Sequence, residues 1–103
     1  MANPAVFAAG TTTATIGHAI KVTKAVLLQA SATAATAVVQ DINGNLFIPQ
    51  MNVPATVGAN QIQDFVVPKI LPGGALATPQ GSPAPTFVVI VTGAGASLYL
   101  HFR

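Results

Sequence analysis

Charged side chains are nearly absent from this chain, which has 103 residues. They make up 6% of it, whereas about a quarter of a typical soluble domain is charged. A chain of this length buries only about 60–65% of the surface that its unfolded form exposes, so much uncharged surface stays outside any monomer. Extended exposed apolar surface marks an interface. The composition therefore predicts a protein that packs against copies of itself or a larger assembly. The charged residues are Lys21, Lys24, Asp41, Asp64, Lys69 and Arg103.

Cysteine and tryptophan are absent as well. Without cysteine the chain has no disulfides, no zinc–thiolate sites and no thiol nucleophile. A small domain without covalent cross-links gains stability by oligomerisation. The net charge of +2 rests on four scattered Lys and Arg residues, and phosphate binding needs several clustered cations. We therefore expect no nucleic-acid partner.

Long apolar segments and a secretory leader are also missing from the pattern. No window approaches the roughly 18 continuous apolar residues of a membrane-spanning helix. Residues 1–20 lack a basic N-terminal region, and Pro4 and Gly10 interrupt their apolar residues. The sequence therefore predicts no membrane partner.

Apolar residues recur with a period of two, which is typical of strands. Leu98, Leu100 and Phe102 share one face of the C-terminal segment, as in a half-buried strand. The β-branched run 87–91 is apolar on both faces, as in a central strand, and the glycine-containing segment 93–96 joins the two as a predicted hairpin. Four further strands are predicted earlier in the chain: Ile20–Ala30, Thr36–Gln40, Leu46–Ile48 and Gln61–Val67. The first is bulged near Lys24. An Asn-Gly turn follows the second, and Pro49 ends the third.

Two segments lack this patterning. Residues 68–85 contain five prolines and three glycines, which exclude a central strand or a long helix and leave room for a short edge strand at 75–77. Residues 1–15 are rich in Ala and Thr and predict an extended arm that reaches away from a domain at 16–103. We expect the arm to pack on a neighbouring subunit or on the larger assembly's main protein. The predicted fold is all-β: a small antiparallel β-sandwich or jelly-roll-like barrel, built as a meander of hairpins, with an extended N-terminal arm.

Carboxylates and histidines are too few for a catalytic or metal site within one chain. Asp41 opens the Asn-Gly turn, where an aspartate bonds local amides, and Asp64 interrupts an apolar face and points to solvent or to a subunit contact. His18 and His101 have no carboxylate near them in sequence. A trimer could gather three copies of either histidine on its axis, but polar surface residues are the simpler interpretation. We expect no catalytic residues, no metal and no cofactor.

The serines and the glycine-containing loop carry no catalytic pattern either. Ser31, Ser82 and Ser97 lie in loops or at a strand start, outside any nucleophile elbow. Gly93-Ala94-Gly95 imitates part of a phosphate-binding loop. It joins two strands and has no helix N-terminus behind it to bind an anion.

Two aromatic and two basic residues complete the candidates. Tyr99 and Phe47 could stack on a sugar or a base, although cross-strand packing is the simpler role. Lys21 and Lys24 are three residues apart and point to opposite faces of a strand unless a bulge intervenes. They do not predict a basic patch.

The order of segments resembles small β-sandwich virion proteins of tailed bacteriophages, including cyanobacterial phages. The resemblance runs from about residue 20 to 102 and rests on an Ala/Thr arm followed by three segments: Lys21–Leu28, Ala37–Asp41 with Asn43-Gly44, and Pro85–Leu100. It implies a capsid decoration (cement) subunit in the virion that packs on the major capsid protein, with a homotrimer as the state. The strand 97–102 and the connection 68–85 are the expected contacts. The alternative is a receptor- or carbohydrate-binding module of a phage tail or fibre, and an enzyme is the least favoured class.

Overall fold

A computed structural model of the chain describes residues 3–14, 20–71 and 87–103. Within these ranges the chain forms eight strands and no helix. The strands are β1 (Ala5–Ala8), β2 (Gly10–Ala14), β3 (Ile20–Gln29), β4 (Ala35–Gln40), β5 (Leu46–Val53), β6 (Asn60–Leu71), β7 (Phe87–Thr92) and β8 (Ala96–Phe102). The predicted all-β class is confirmed.

The strands form two four-stranded antiparallel sheets with the orders β1-β8-β3-β6 and β2-β7-β4-β5. This order is that of a jelly roll, in which two Greek keys build a double-sheet sandwich. The predicted antiparallel sandwich is therefore confirmed. The predicted meander of hairpins is wrong, because β7 and β8 lie in different sheets, as do β3 and β4. All four strands bury one face, and a strand that buries one face can do so in either sheet of a sandwich. The connections after β3 and β7 therefore cross from one sheet to the other.

The core lies between the two sheets and follows from the alternation of side chains along each strand. In β7 the residues Phe87, Val89 and Val91 are buried, and in β8 the residues Leu98 and Leu100 are buried, with half-buried neighbours between them. The inward residues of β3 and β4 follow the same pattern. The sandwich therefore buries one face of each central strand.

The bulge predicted near Lys24 is present in β3. The register shifts between Val22 and Lys24, whose partners on β6 are Lys69 and Asp64. Residues 65–68 of β6 therefore stand opposite Thr23 alone and protrude from the sheet edge. Because buried positions change parity across the bulge, the inward side chains before and after it face the same core.

Two strands run further than the sequence predicted. β5 continues through Pro49, and β6 continues through Pro68. Both are edge strands, so the missing proline N–H removes no hydrogen bond from a central ladder. Residues 72–85, which include the predicted edge strand at 75–77, lie outside the described residues.

The predicted arm that reaches away from the domain is wrong for residues 3–14. β1 pairs with β8, and β2 pairs with β7, so this segment contributes one edge strand to each sheet. Ala5 and Phe7 are buried in the core. The alternation is only two apolar residues long in β1, which is why the sequence pattern did not reveal it.

Candidate interaction surfaces

The two ends of the sandwich differ in charge. One end, which we call the loop end, carries the connections at Ala9, 30–34, 54–59 and 93–95. Val26 and its cross-strand partner Tyr99 mark one level across the sheet. Between that level and the loop-end connections, the described residues include no charged side chain.

All six charges lie between the middle of the sandwich and its opposite end. Lys24 stands opposite Asp64 halfway along the sheet. Lys21 exchanges two backbone hydrogen bonds with Arg103 near the start of β3. The remaining two are Lys69, opposite Val22 on β6, and Asp41, in the β4–β5 turn.

The bulge in β3 also places two lysines on the same face of the sheet. Lys21 lies between the buried Ile20 and Val22, and Lys24 precedes the buried Ala25, so both lysines face outward. The sequence predicted that the two lysines point to opposite faces of the strand unless a bulge intervenes. The bulge is present, so they point to the same face. His101 is the cross-strand partner of Lys24, which adds an imidazole to this group.

An apolar row crosses the outer face of the β1-β8-β3-β6 sheet. Val6 pairs with Tyr99, Tyr99 pairs with Val26, and Val26 pairs with Ile62. Val6 and Ile62 at its ends are more than half exposed. Tyr99 therefore lies between two valines as a cross-strand aromatic residue, which is the simpler of the two roles that the sequence suggested. Phe47, the other aromatic candidate, is partly buried against the core.

The second sheet has no charged residue in any of its four strands, whose sequences are GTTTA, FVVIVT, ATAVVQ and LFIPQMNV. We call it the uncharged sheet. A sheet face of this kind offers nothing to repel another apolar surface, because charged residues are the usual means of keeping sheets apart.

The protruding segment of β6 exposes further apolar surface. Val66 is 99% exposed and Val67 is 79% exposed. Phe65 turns towards the core, and the Nζ atom of Lys69 lies 5.8 Å from the centroid of its ring. The two valines therefore form an apolar tip supported by a cation–π contact.

β8, an expected contact strand, lies between β1 and β3 with both edges paired. Its residues Leu98 and Leu100 belong to the chain's own core. Only its outward side chains, Tyr99 among them, remain for a partner. The other expected contact, 68–85, is described only as far as residue 71.

Asp41 is held inside its own turn, as predicted. Its Oδ1 accepts hydrogen bonds from the backbone N–H of Asn43 at 2.8 Å and of Asn45 at 2.9 Å, and its Oδ2 accepts one from the Asn45 side chain at 3.0 Å. These donors, those of Asn45 first, lower the pKa of the Asp41 carboxyl. Asp64 lies on the other sheet, so the two aspartates do not share a site.

The remaining candidates are structural where they are described. Ser31 donates its hydroxyl hydrogen to the backbone oxygen of Ala94 at 2.6 Å, which ties two loop-end connections together. Ser97 lies in β8, and Gly93-Ala94-Gly95 is a turn between strands. His18 and Ser82 lie outside the described residues. In the described part of the chain no three His, Cys, Asp or Glu side chains are grouped to hold a metal ion.

Gln29 is a structural residue that the sequence did not reveal. It is fully buried at the end of β3. Its Oε1 accepts a hydrogen bond from the N–H of Ser31 at 3.0 Å, and its Nε2 donates to the backbone oxygen of Thr33. The only sequence signal was a polar residue at the inward parity of β3, next to a turn.

No family model matches the sequence, and no curated protein or solved structure matches it. Within residues 3–14, 20–71 and 87–103, no helix is long and apolar enough to cross a membrane.

Proposed function

We propose that this chain is a structural subunit of a bacteriophage virion, namely a capsid decoration (cement) protein that packs on the major capsid protein and stabilises the shell. One observation carries the proposal: every charge lies away from the loop end, and the uncharged sheet has none at all. The bacteriophage assignment itself rests on the resemblance of the sequence.

The segregation of charge supports a fixed orientation in an assembly. Uncharged sheet faces and small-residue loops bury well against protein, whereas the charged end stays hydrated. In this proposal the loop end, with Val57 67% exposed, meets the shell, and the end that carries Lys21 and Arg103 faces solvent. The jelly-roll order occurs in viral capsid proteins. This similarity concerns the fold alone, and a fold does not by itself specify a function.

Self-association is part of the proposal. A chain with six charges has few means of keeping its exposed apolar surface apart from that of other copies. Burial between copies recovers the free energy lost by exposing that surface. The resemblance implies a trimer. The scarcity of charged residues predicts self-association but does not fix the number of copies.

A receptor- or carbohydrate-binding module of a tail or fibre is the second candidate. Tyr99 favours it, because it is an aromatic side chain on an outer sheet face. Its cross-strand neighbours Val6 and Val26 are apolar. Sugar recognition needs polar groups beside the ring, and on this face β8 offers only Ser97 and His101. We propose no enzymatic activity, since Asp41 lies in the turn between β4 and β5 and Asp64 lies in β6 of the other sheet.

Quantitative mass spectrometry of purified phage particles tests the proposal. We expect the chain in mature particles at a fixed, simple ratio to the major capsid protein, and particles that lack it should disassemble at a lower temperature. Copies confined to purified tails would favour the binding module instead. Absence from particles would contradict both candidates.

A further inference from the structure

β2 is an edge strand that is exposed on both of its faces. Thr11, Thr12 and Thr13 are all exposed. Thr12 stands opposite Val89 of β7, which is fully buried. Paired residues share a face of the sheet, so Thr12 is on the core side, yet none of the described residues shields it from solvent.

The other three edge strands carry features that discourage pairing with another chain. β5 contains Pro49 and an irregular register with β4. β6 contains Pro68, Lys69 and the protruding residues 65–68. β1 directly follows Pro4, and its inward side chains are already buried. β2 has no proline, no charge and no bulge against β7.

The sequence of β2 suits pairing with a copy of itself. In an antiparallel two-fold arrangement centred on Thr12, Thr12 faces Thr12 of the second copy, and Thr11 faces Thr13. Threonine favours strands, and Thr–Thr cross-strand pairs are stabilising. The sheet behind β2 has no charged residue, so the joined sheets bring no like charges together.

We infer that β2 is the self-association edge of this protein: two copies pair β2 with β2 and join their uncharged sheets into one of eight strands. The inference deepens the self-association in the proposed function by naming its contact. The contact is isologous, which means that both copies use the same strand, so it gives a dimer. The trimer is implied only by the resemblance of the sequence.

Cysteine cross-linking tests the register directly, because the chain has no native cysteine. Facing Cα atoms in antiparallel strands are about 4.5–5.5 Å apart, which is within the range that a disulfide spans. Under mild oxidation at micromolar concentration, Thr12→Cys should form a covalent dimer in most molecules. Thr56→Cys, at an exposed loop-end position, is the matched control and should stay mostly uncross-linked.

Thr12→Lys gives a second measurement that does not depend on oxidation. It places two ammonium groups face to face at the two-fold axis and should convert a dimer of twice 10.4 kDa into a monomer in sedimentation. Thr56→Lys should leave the dimer intact, and far-UV circular dichroism checks that both variants are folded.

The remaining outcomes show whether the β2 contact alone is wrong or whether self-association is wrong as well. A trimer, or a dimer that survives Thr12→Lys without cross-linking through Cys at position 12, overturns the β2 contact and leaves self-association standing. A wild-type monomer at micromolar concentration overturns both the contact and the self-association. Presence in the virion is decided by the particle measurement alone.

Discussion

The ring of Phe7 in β1 stands edge-on to the ring of Phe87 in β7, with 6.3 Å between the centroids and 77° between the planes. The contact joins the two sheets, because β1 and β7 belong to different ones. An N-terminal segment held by such a contact is part of the core.

Replacing Phe7 with alanine should therefore destabilise the isolated domain. Phe7 is 7% exposed, and removing a buried phenylalanine side chain costs about 3–5 kcal/mol. We expect a loss near the lower figure, since β1 is an edge strand and its surroundings can relax. Urea denaturation measures the change.

Val6→Ala is the control for this loss. Val6 is 56% exposed on the outer face of the same strand, so its truncation should cost less than about 1 kcal/mol. Equal effects at the two positions would show that β1 does not anchor the core.

A methyl group at Gly93 should destabilise the fold more than one at Gly44. Both glycines have positive φ, 113° and 92°, which costs an L-residue about 1–2 kcal/mol. At Gly93 the added Cβ would also lie 2.5 Å from the backbone oxygen of Ala34, whereas at Gly44 nothing lies within 4 Å. Gly93→Ala should therefore cost about 1–3 kcal/mol more than Gly44→Ala in chemical denaturation. Similar costs would contradict the close approach of the two connections.

Gln29→Leu should destabilise the loop end. The substitution removes the hydrogen bonds that the Gln29 side chain makes with the N–H of Ser31 and the carbonyl of Thr33. Each such bond contributes about 0.5–1.5 kcal/mol net. Hydrogen exchange of the Ser31 amide should accelerate together with the loss of stability. Gln50→Leu, at an exposed position, is the control and should leave both quantities nearly unchanged.

The Asn-Gly turn should weaken in acid. Hydrogen bonds from Asn45 and Asn43 lower the pKa of Asp41 in the folded state below its ordinary value. Folding then favours the ionised carboxylate, so the stabilisation is complete above the unfolded pKa and is lost as pH falls through the folded one. The stability difference between the wild type and Asp41→Ala should shrink as pH falls below about 4, in urea denaturation measured from pH 7 to pH 2. A difference that does not change with pH would contradict the role of the carboxylate in the turn.

Sequence patterning predicted the strands whose alternation is long and whose turns have a chemical signature. β3 with its bulge, β4, β7, β8 and the Asp41 turn all follow from it. The pairing of these strands did not, because alternation reports that one face is buried and not which sheet buries it. β1 escaped detection, since four residues with two buried side chains are too short a pattern. The uncharged loop end could be seen only after the sheet registers had placed the six charges.

Val57→Glu should abolish binding to shells while leaving the domain folded. Val57 is 67% exposed in the β5–β6 connection at the loop end, where our proposal places the capsid contact. A carboxylate buried there without a partner costs several kcal/mol, which is enough to remove binding of moderate affinity. Co-sedimentation with purified shells that lack the protein measures the effect. Asn43→Glu, exposed in the turn at the opposite end, is the matched control and should bind like the wild type. If Val57→Glu binds normally and Asn43→Glu does not, the protein sits on its shell in the reverse orientation, with the charged end inward.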